Sequence, residues 1–337
     1  MTYKEELSAT MKEKLAKLKN LTVQRLARGL RIRRAYLYKK IYGKPMWADQ
    51  PVSLNLDTQN KCSLNCEYCN PQHLFVKDHA MMPMSALDRL LSVLKENKKF
   101  IIYVCAEGNG DPLFEPRMPQ ICKLIKQKLK RTRIDVFTNG VEYGNRKYLY
   151  TPYLDDIRFT ISAANPILYA QVHRRPRFHE AVKTLQWFTD NKFFHQRLWV
   201  NFVLYRRNIH DLANWQRLFK GYYQDVRALH LGDSRKQSSQ LDSTDEILNF
   251  HRKLFIDKLI KTETPCSVFH GIGVSAYGTY MQCIDLPYEY NWGHIEEIDI
   301  LETYRKRLDI GLDYPGCRGC NQKNPHWREL FEKYVWN

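Results

Sequence analysis

The chain has 337 residues, 44% of them apolar and 26% charged, which is ordinary for a soluble globular protein with a sizeable core. No run approaches the roughly 20 apolar residues of a membrane span, and the N-terminus shows no signal-peptide core, so a cytoplasmic protein is expected. An excess of 53 Lys and Arg over 36 Asp and Glu, a net charge of +17, favours anionic partners without naming one.

Residues 1–45 hold thirteen Lys and Arg against three acids. Residues 5–42 lack Pro, and Leu15, Leu18, Leu26 and Leu30 fit an amphipathic stripe, so a basic helical extension is expected over 1–48. It reads as a helix packed on the main domain with a solvated face. Contact with a nucleic acid, an acidic carrier or the surface of a membrane is the alternative, which would make the protein peripheral there.

From residue 49 to 232, apolar runs alternate with helical stretches. The strands expected are Val52–Asp57, Phe100–Ala106, Arg133–Phe137, Ile157–Ser162, Leu198–Leu204 and Val226–Leu231. The helices expected are Ser85–Asn97, Arg117–Lys130, Asn145–Tyr150, His179–Asn191 and His210–Tyr222. Such alternation predicts an α/β fold with a parallel sheet, a partial (β/α)6 TIM-like barrel whose chemistry sits at the C-terminal strand ends. Residues 233–265 read as a polar linker and a helix. Residues 266–337 read as a small second unit, with a hairpin pivoting on Tyr277-Gly278.

Nine cysteines cannot all pair, and seven of them fall in two groups. Cys62, Cys66 and Cys69 follow the first strand at a CxxxCxxC spacing. Three thiolates can hold three irons of a [4Fe–4S] cube and leave the fourth open, as a reactive site needs. A zinc loop completed by His73 is the structural alternative.

Here the chain resembles the radical S-adenosylmethionine superfamily. Cys62, Cys66, Tyr68 and Cys69 match that family's CxxxCxΦC motif, Φ being aromatic. Gly108-Asn109-Gly110-Asp111-Pro112 is similar to its GGEP motif, whose backbone holds the methionine amino group, with Asp in place of Glu and Asn between the glycines. Thr138, Asn139 and Ser162 fall at family positions that face S-adenosylmethionine, while Asn201–Leu204 lacks the glycines of the adenine motif. The resemblance implies an iron–sulfur enzyme. The open iron would bind S-adenosylmethionine, one electron from a donor such as flavodoxin or ferredoxin would split it, and the 5′-deoxyadenosyl radical would take hydrogen from a substrate C–H.

Cys266, Cys283, Cys317 and Cys320 form the second group, with Trp292-Gly293-His294-Ile295 between hairpin and helix. This resembles the SPASM/twitch extensions of the same superfamily and implies an auxiliary [4Fe–4S] cluster; a zinc ribbon is the alternative. Three remaining sites have a structural reading beside a functional one. Cys105 is a core thiol or a hydrogen-atom donor, and Glu107 is a turn contact or an acid–base group. His173-Arg174-Arg175 is a solvated basic loop, or Arg174 meets the S-adenosylmethionine carboxylate or a substrate anion. Cys122 reads as core. Oxidation of an anionic substrate (dehydrogenation or cross-linking) is the first expectation, and redox-neutral epimerisation or rearrangement of a nucleotide, nucleic acid, sugar or lipid-linked substrate the second. A non-catalytic iron–sulfur or zinc protein that binds nucleic acid is the alternative class.

Overall fold

The computed structural model describes residues 51–69, 78–96, 101, 103–106, 108–130, 132–205, 207–228, 271–283 and 288–310. The basic extension 1–48, the linker and helix over 233–265, Glu107, His73, Cys266, Cys317 and Cys320 lie outside them.

Six strands run parallel in chain order: β1 Ser53–Leu56, β2 Tyr103–Cys105, β3 Arg133–Thr138, β4 Asp156–Thr160, β5 Arg197–Leu204 and β6 Tyr223–Ala228. Between and after them come helices α1 Met84–Leu94, α2 Met118–Leu129, α3 Pro166–His173, α4 Phe178–Asn191 and α5 Leu212–Leu218. The expected partial barrel is therefore present, with strand ends within a few residues of those read from the sequence. One expected helix differs: Tyr143–Tyr148 is 3₁₀ and buries none of its residues, consistent with its lack of an apolar stripe.

The helices form because their apolar residues recur at three and four. In α1 these are Ala86, Leu87, Leu90, Leu91 and Leu94, and in α2 Met118, Ile121, Cys122, Ile125 and Leu129, all buried. Cys122 is thus a core residue, as its helical position implied. One face of the sheet supplies the matching layer: Leu54, Leu56, Val104, Ile134, Val136, Ile157, Phe159, Val200 and Phe202. Phe202 meets Trp215 of α5 edge-on at 5.2 Å, which fixes that face as the helix side. Its alternates Trp199, Asn201 and Val203 consequently face inward.

The sheet continues past β1. Strand β7 (Gly271–Val274) pairs parallel with β1, β8 (Thr279–Met281) returns antiparallel, and β9 (Asn291–His294) pairs with β8, giving the order β6-β5-β4-β3-β2-β1-β7-β8-β9. The turn pivots where expected: Gly278 has φ +76° and its N–H donates to the Ser275 carbonyl at 2.9 Å. The hairpin thus adds to the barrel sheet. Helix α6 (Ile300–Ile310) follows, and its buried Arg307 donates to the carbonyls of Gly271 at 2.7 Å and Gln282 at 3.0 Å.

Candidate active site

The C-terminal ends of β1 to β5 carry the residues singled out by their motifs. After β1 the chain turns through Asp57, Thr58, Gln59 and Asn60, all buried, into the cysteine loop. Asp57 accepts the Asn109 backbone N–H at 2.7 Å, the Asn109 side-chain amide at 3.2 Å and the Tyr288 hydroxyl at 2.8 Å. Burial outweighs these donors and pushes its carboxyl up to about 6. Gln59 holds the following turn from both sides: its amide donates to the Asp111 carbonyl at 2.7 Å and its oxygen accepts the Lys61 N–H at 2.6 Å.

Both glycines after β2 are required by space. A Cβ on Gly108 would come within 2.7 Å of the Asp57 Cβ, and one on Gly110 within 2.5 Å of the Gln59 carbonyl oxygen. The Gly108–Asp111 turn therefore lies flat against the root of the cysteine loop, with the Asp111 N–H donating to the Lys61 carbonyl at 2.8 Å. Asp111 caps the 3₁₀ turn Pro112–Phe114 through the Leu113 N–H at 3.0 Å. It also accepts the Thr138 hydroxyl at 2.9 Å and the Asn139 N–H at 2.6 Å. Its place in the motif is thus an internal one: it ties the β2 turn to the β3 end. Burial raises its carboxyl to about 6 as well.

Asn139 then donates from its side chain to the Cys62 sulfur at 3.3 Å. Cys66 is met by His173, whose Nδ1 lies 3.0 Å from the sulfur while its Nε2 accepts the Ser162 N–H at 3.1 Å. Sequence reading missed His173, leaving it in a solvated loop. It is instead the fully buried last residue of α3, and burial presses its ring pKa down to about 3. The loop expectation for His173 is corrected for a physical reason: Asn165 caps the helix by accepting the Leu168 N–H at 2.9 Å, and Pro166 occupies its first turn, so a helix starts there without a marked apolar stripe. Arg174 follows in the left-handed region at φ 54° and is exposed, so the backbone turns there and only the histidine points inward.

Tyr68 lies 3.4 Å from the Ser162 hydroxyl and packs edge-on to His173 and Tyr205. Between the last two cysteines, Glu67 accepts the Tyr205 hydroxyl at 2.8 Å and a two-pronged contact from Arg207 at 2.5 and 2.8 Å. Its N–H donates to the Val172 carbonyl at 2.9 Å. Burial holds the Cys62 and Cys66 thiols well above the ordinary range, so they give up protons when a metal takes their place.

Among the described residues no three His, Cys, Asp or Glu side chains converge on a point as one metal ion requires. A cube takes one thiolate per iron, and the chain offers three neighbouring sulfurs, two of them supplied with hydrogen-bond donors. The donor set fits that group.

Inward from these strand ends the sheet face turns polar. Arg158 bridges Asp135 at 3.0 Å and Asp225 at 3.6 Å while lying over the Trp199 ring at 4.3 Å. Arg227 lies over Phe137 at 4.9 Å, and Asp156 binds Arg133, Arg197 and the Trp199 indole. Asn201, level with Thr160 of β4 and Asp225 of β6, is buried and its Oδ1 has no partner among the described residues. Cys105 ends β2, level with Asn55 and Asp135, and is buried. Cys283 follows β8 and is half-buried. Among the described residues no helix is long and apolar enough to cross a membrane.

Comparison with known proteins agrees with this geometry. Residues 56–219 match the model of the Radical SAM superfamily. A probable GTP 3',8-cyclase of Methanocaldococcus jannaschii is 26% identical over 228 residues, covering 61% of this chain and 74% of that protein. Among solved structures, Streptococcus suis SuiB bound to the precursor peptide SuiA superposes with a TM-score of 0.58 at 14% identity, covering 87% of this chain and 74% of that one. Native anSMEcpe with bound AdoMet gives 0.56 at 12% identity, covering 85% and 97%. At such identities the structures speak for the fold, and the sequence match speaks for the family. This chain carries a radical SAM domain and is a radical SAM family enzyme.

Proposed function

We propose that the enzyme holds a [4Fe–4S] cluster on Cys62, Cys66 and Cys69, seats S-adenosylmethionine across the ends of β1 to β5, and oxidises an anionic substrate at a C–H bond. The observation that carries the reading is the knot in which the β2 turn, Asn139 and His173 all close on the cysteine loop. When bound, the cluster supplies the electron that splits S-adenosylmethionine into methionine and a 5′-deoxyadenosyl radical. The chain's own groups then bind and orient. Gly108, Asn109, Gly110 and Pro112 offer close backbone approach to the methionine end. Thr138, Asn139, Tyr68 and Ser162 line the neighbouring strand ends.

On the inner face Arg158 and Arg227 lie over aromatic rings and are already paired with Asp135 and Asp225, so the support for an anionic substrate is the chain's net charge of +17. The Asn201 Oδ1 on that face, unpartnered among the described residues, is what a bound donor would satisfy. Cys266, Cys283, Cys317 and Cys320 would hold an auxiliary cluster, an electron acceptor that suits dehydrogenation or cross-linking. A flavodoxin or ferredoxin is the reductant expected, and the basic arm over 1–45 would bring an acidic partner, a nucleic acid or a membrane surface.

Anaerobic reconstitution with iron, sulfide, a reductant and S-adenosylmethionine should release 5′-deoxyadenosine, and Cys62→Ala, Cys66→Ala or Cys69→Ala should lower that release at least about 100-fold, the loss of an essential group. A colourless protein carrying zinc on these cysteines would sink the proposal.

A second reading rests on Cys105. A buried thiol at the inner end of β2 is placed to return a hydrogen atom to a substrate radical, as redox-neutral epimerisation requires. The thiyl radical left behind would then take an electron from the external reductant and a proton from solvent. That reading predicts solvent deuterium in the product, and oxidation predicts none.

A further inference from the structure

We infer that His173 is a positioning residue for the cysteine-held cluster: a fixed neutral donor to the Cys66 sulfur that makes the iron–sulfur group easier to reduce. The inference rests on the proposal that Cys62, Cys66 and Cys69 hold that cluster.

The ring's protonation follows from its two contacts. The Ser162 backbone N–H can only donate, so Nε2, 3.1 Å away, must accept. The single ring proton therefore sits on Nδ1, which points at the Cys66 sulfur 3.0 Å away. Packing confines the ring, and the Ser162 N–H sets which way round it lies. It is fully buried, stacks on Tyr169 with centroids 4.1 Å apart, and meets the edge of Tyr68 at 5.9 Å. The backbone is fastened to the same loop, because the Glu67 N–H donates to the carbonyl of Val172, the residue before the histidine.

A donor aimed at a thiolate draws off negative charge. Reduction adds negative charge to an iron–sulfur group, so such a hydrogen bond favours the reduced form and raises the potential. Neutrality matters as well: a second ring proton on Nε2 would face the Ser162 N–H, so the site holds a hydrogen bond without a full positive charge. Cys62 receives a weaker, longer donor from Asn139 at 3.3 Å. The Cys62 and Cys66 sulfurs are therefore unequal.

The test compares His173→Leu, which keeps bulk without a donor, and His173→Gln, which restores an N–H, with the unaltered reconstituted protein. Iron content, the midpoint potential from a spectroelectrochemical titration, and pulsed EPR of the reduced protein grown with ¹⁵N-histidine are read for each. With iron content unchanged, His173→Leu should make reduction about tenfold less favourable, about 59 mV for one electron. His173→Gln should recover most of that change. The unaltered protein should show coupling of the reduced cluster to one imidazole nitrogen. Equal potentials in all three iron-loaded proteins would overturn the inference. If His173→Leu fails to hold iron, the nitrogen coupling in the unaltered chain decides, and its absence overturns the inference too. Failure of the underlying reading looks different, since replacing Cys62, Cys66 and Cys69 would then leave the iron content unchanged instead of lowering it by one cluster's share.

Discussion

Asp57 is enclosed by donors and yet is harder to ionise than a free carboxylate. Its folded value of about 6 stands above the ordinary 3.8, so the native state keeps a proton that the unfolded chain releases first. The stability this group contributes is complete below pH 3.8 and is lost as pH rises towards 6. Beyond that the penalty is constant, about 3 kcal/mol for a shift of this size. Asp57→Asn removes the titration while keeping an acceptor for the Asn109 N–H. Denaturant unfolding of the metal-free protein should show the variant gaining on the parent by up to about 3 kcal/mol between pH 4 and pH 7. A difference that does not change with pH would show that Asp57 ionises freely. Residues of this kind divide in how far they can be read from sequence. Gly108 and Gly110 are legible because only glycine fits the space left by Asp57 and Gln59, and the turn's composition shows it. His173 is not, because in sequence it is one polar residue before two arginines. What ties it to the site is Cys66, 107 positions away, and a backbone N–H eleven positions before it.

Elements show the same division. Helices α1, α2 and α4 were legible because each lays an apolar stripe on the sheet at the spacing of a helix. Helix α3 was not, because it is short and buries Leu168, Tyr169, Val172 and His173 without a clean polar face. Its start is marked only by Asn165 and Pro166. The cysteine loop is a second case: its spacing is plain in sequence, and its fastening is not. Glu67 joins it to Tyr205 and Arg207 beyond β5, a clamp whose partners lie about 140 residues downstream. Arg207 is half exposed, so water screens the pair and it contributes about 1 kcal/mol or less. That is too little to alter the fold but enough to alter how often the loop opens. Glu67→Ala should therefore leave the melting temperature within a few degrees of the parent. It should also speed iron loss to a chelator about fivefold, the factor that 1 kcal/mol provides. An unchanged rate of iron loss would mean that the loop is held by its cysteines and His173 alone.

At the scale of the whole molecule, the sequence separates a barrel from a later unit at residue 266, and the sheet order runs across that division. Local signals made the hairpin visible, because Tyr277-Gly278 needs a tight turn wherever the hairpin docks. They carried no information on the strand it would join, since parallel pairing of β7 with β1 matches residues more than 200 positions apart. The join is secured from the side by Arg307. Its guanidinium is buried and donates to carbonyls at the start of β7 and just past β8, so α6 is fixed to the sheet at two points. Replacing it by methionine keeps the volume and the contact with the Tyr280 ring but strands two buried acceptors. Each such loss costs about 1–3 kcal/mol. If β7, β8 and α6 fold as one body with β1, Arg307→Met should lower the stability of the entire described fold by about 2–5 kcal/mol, and probes on Trp215 and Trp292 should report one shared, shifted midpoint. A variant in which the Trp292 signal melts early while Trp215 keeps the parent midpoint would show that the hairpin is a separate unit resting on the β1 edge.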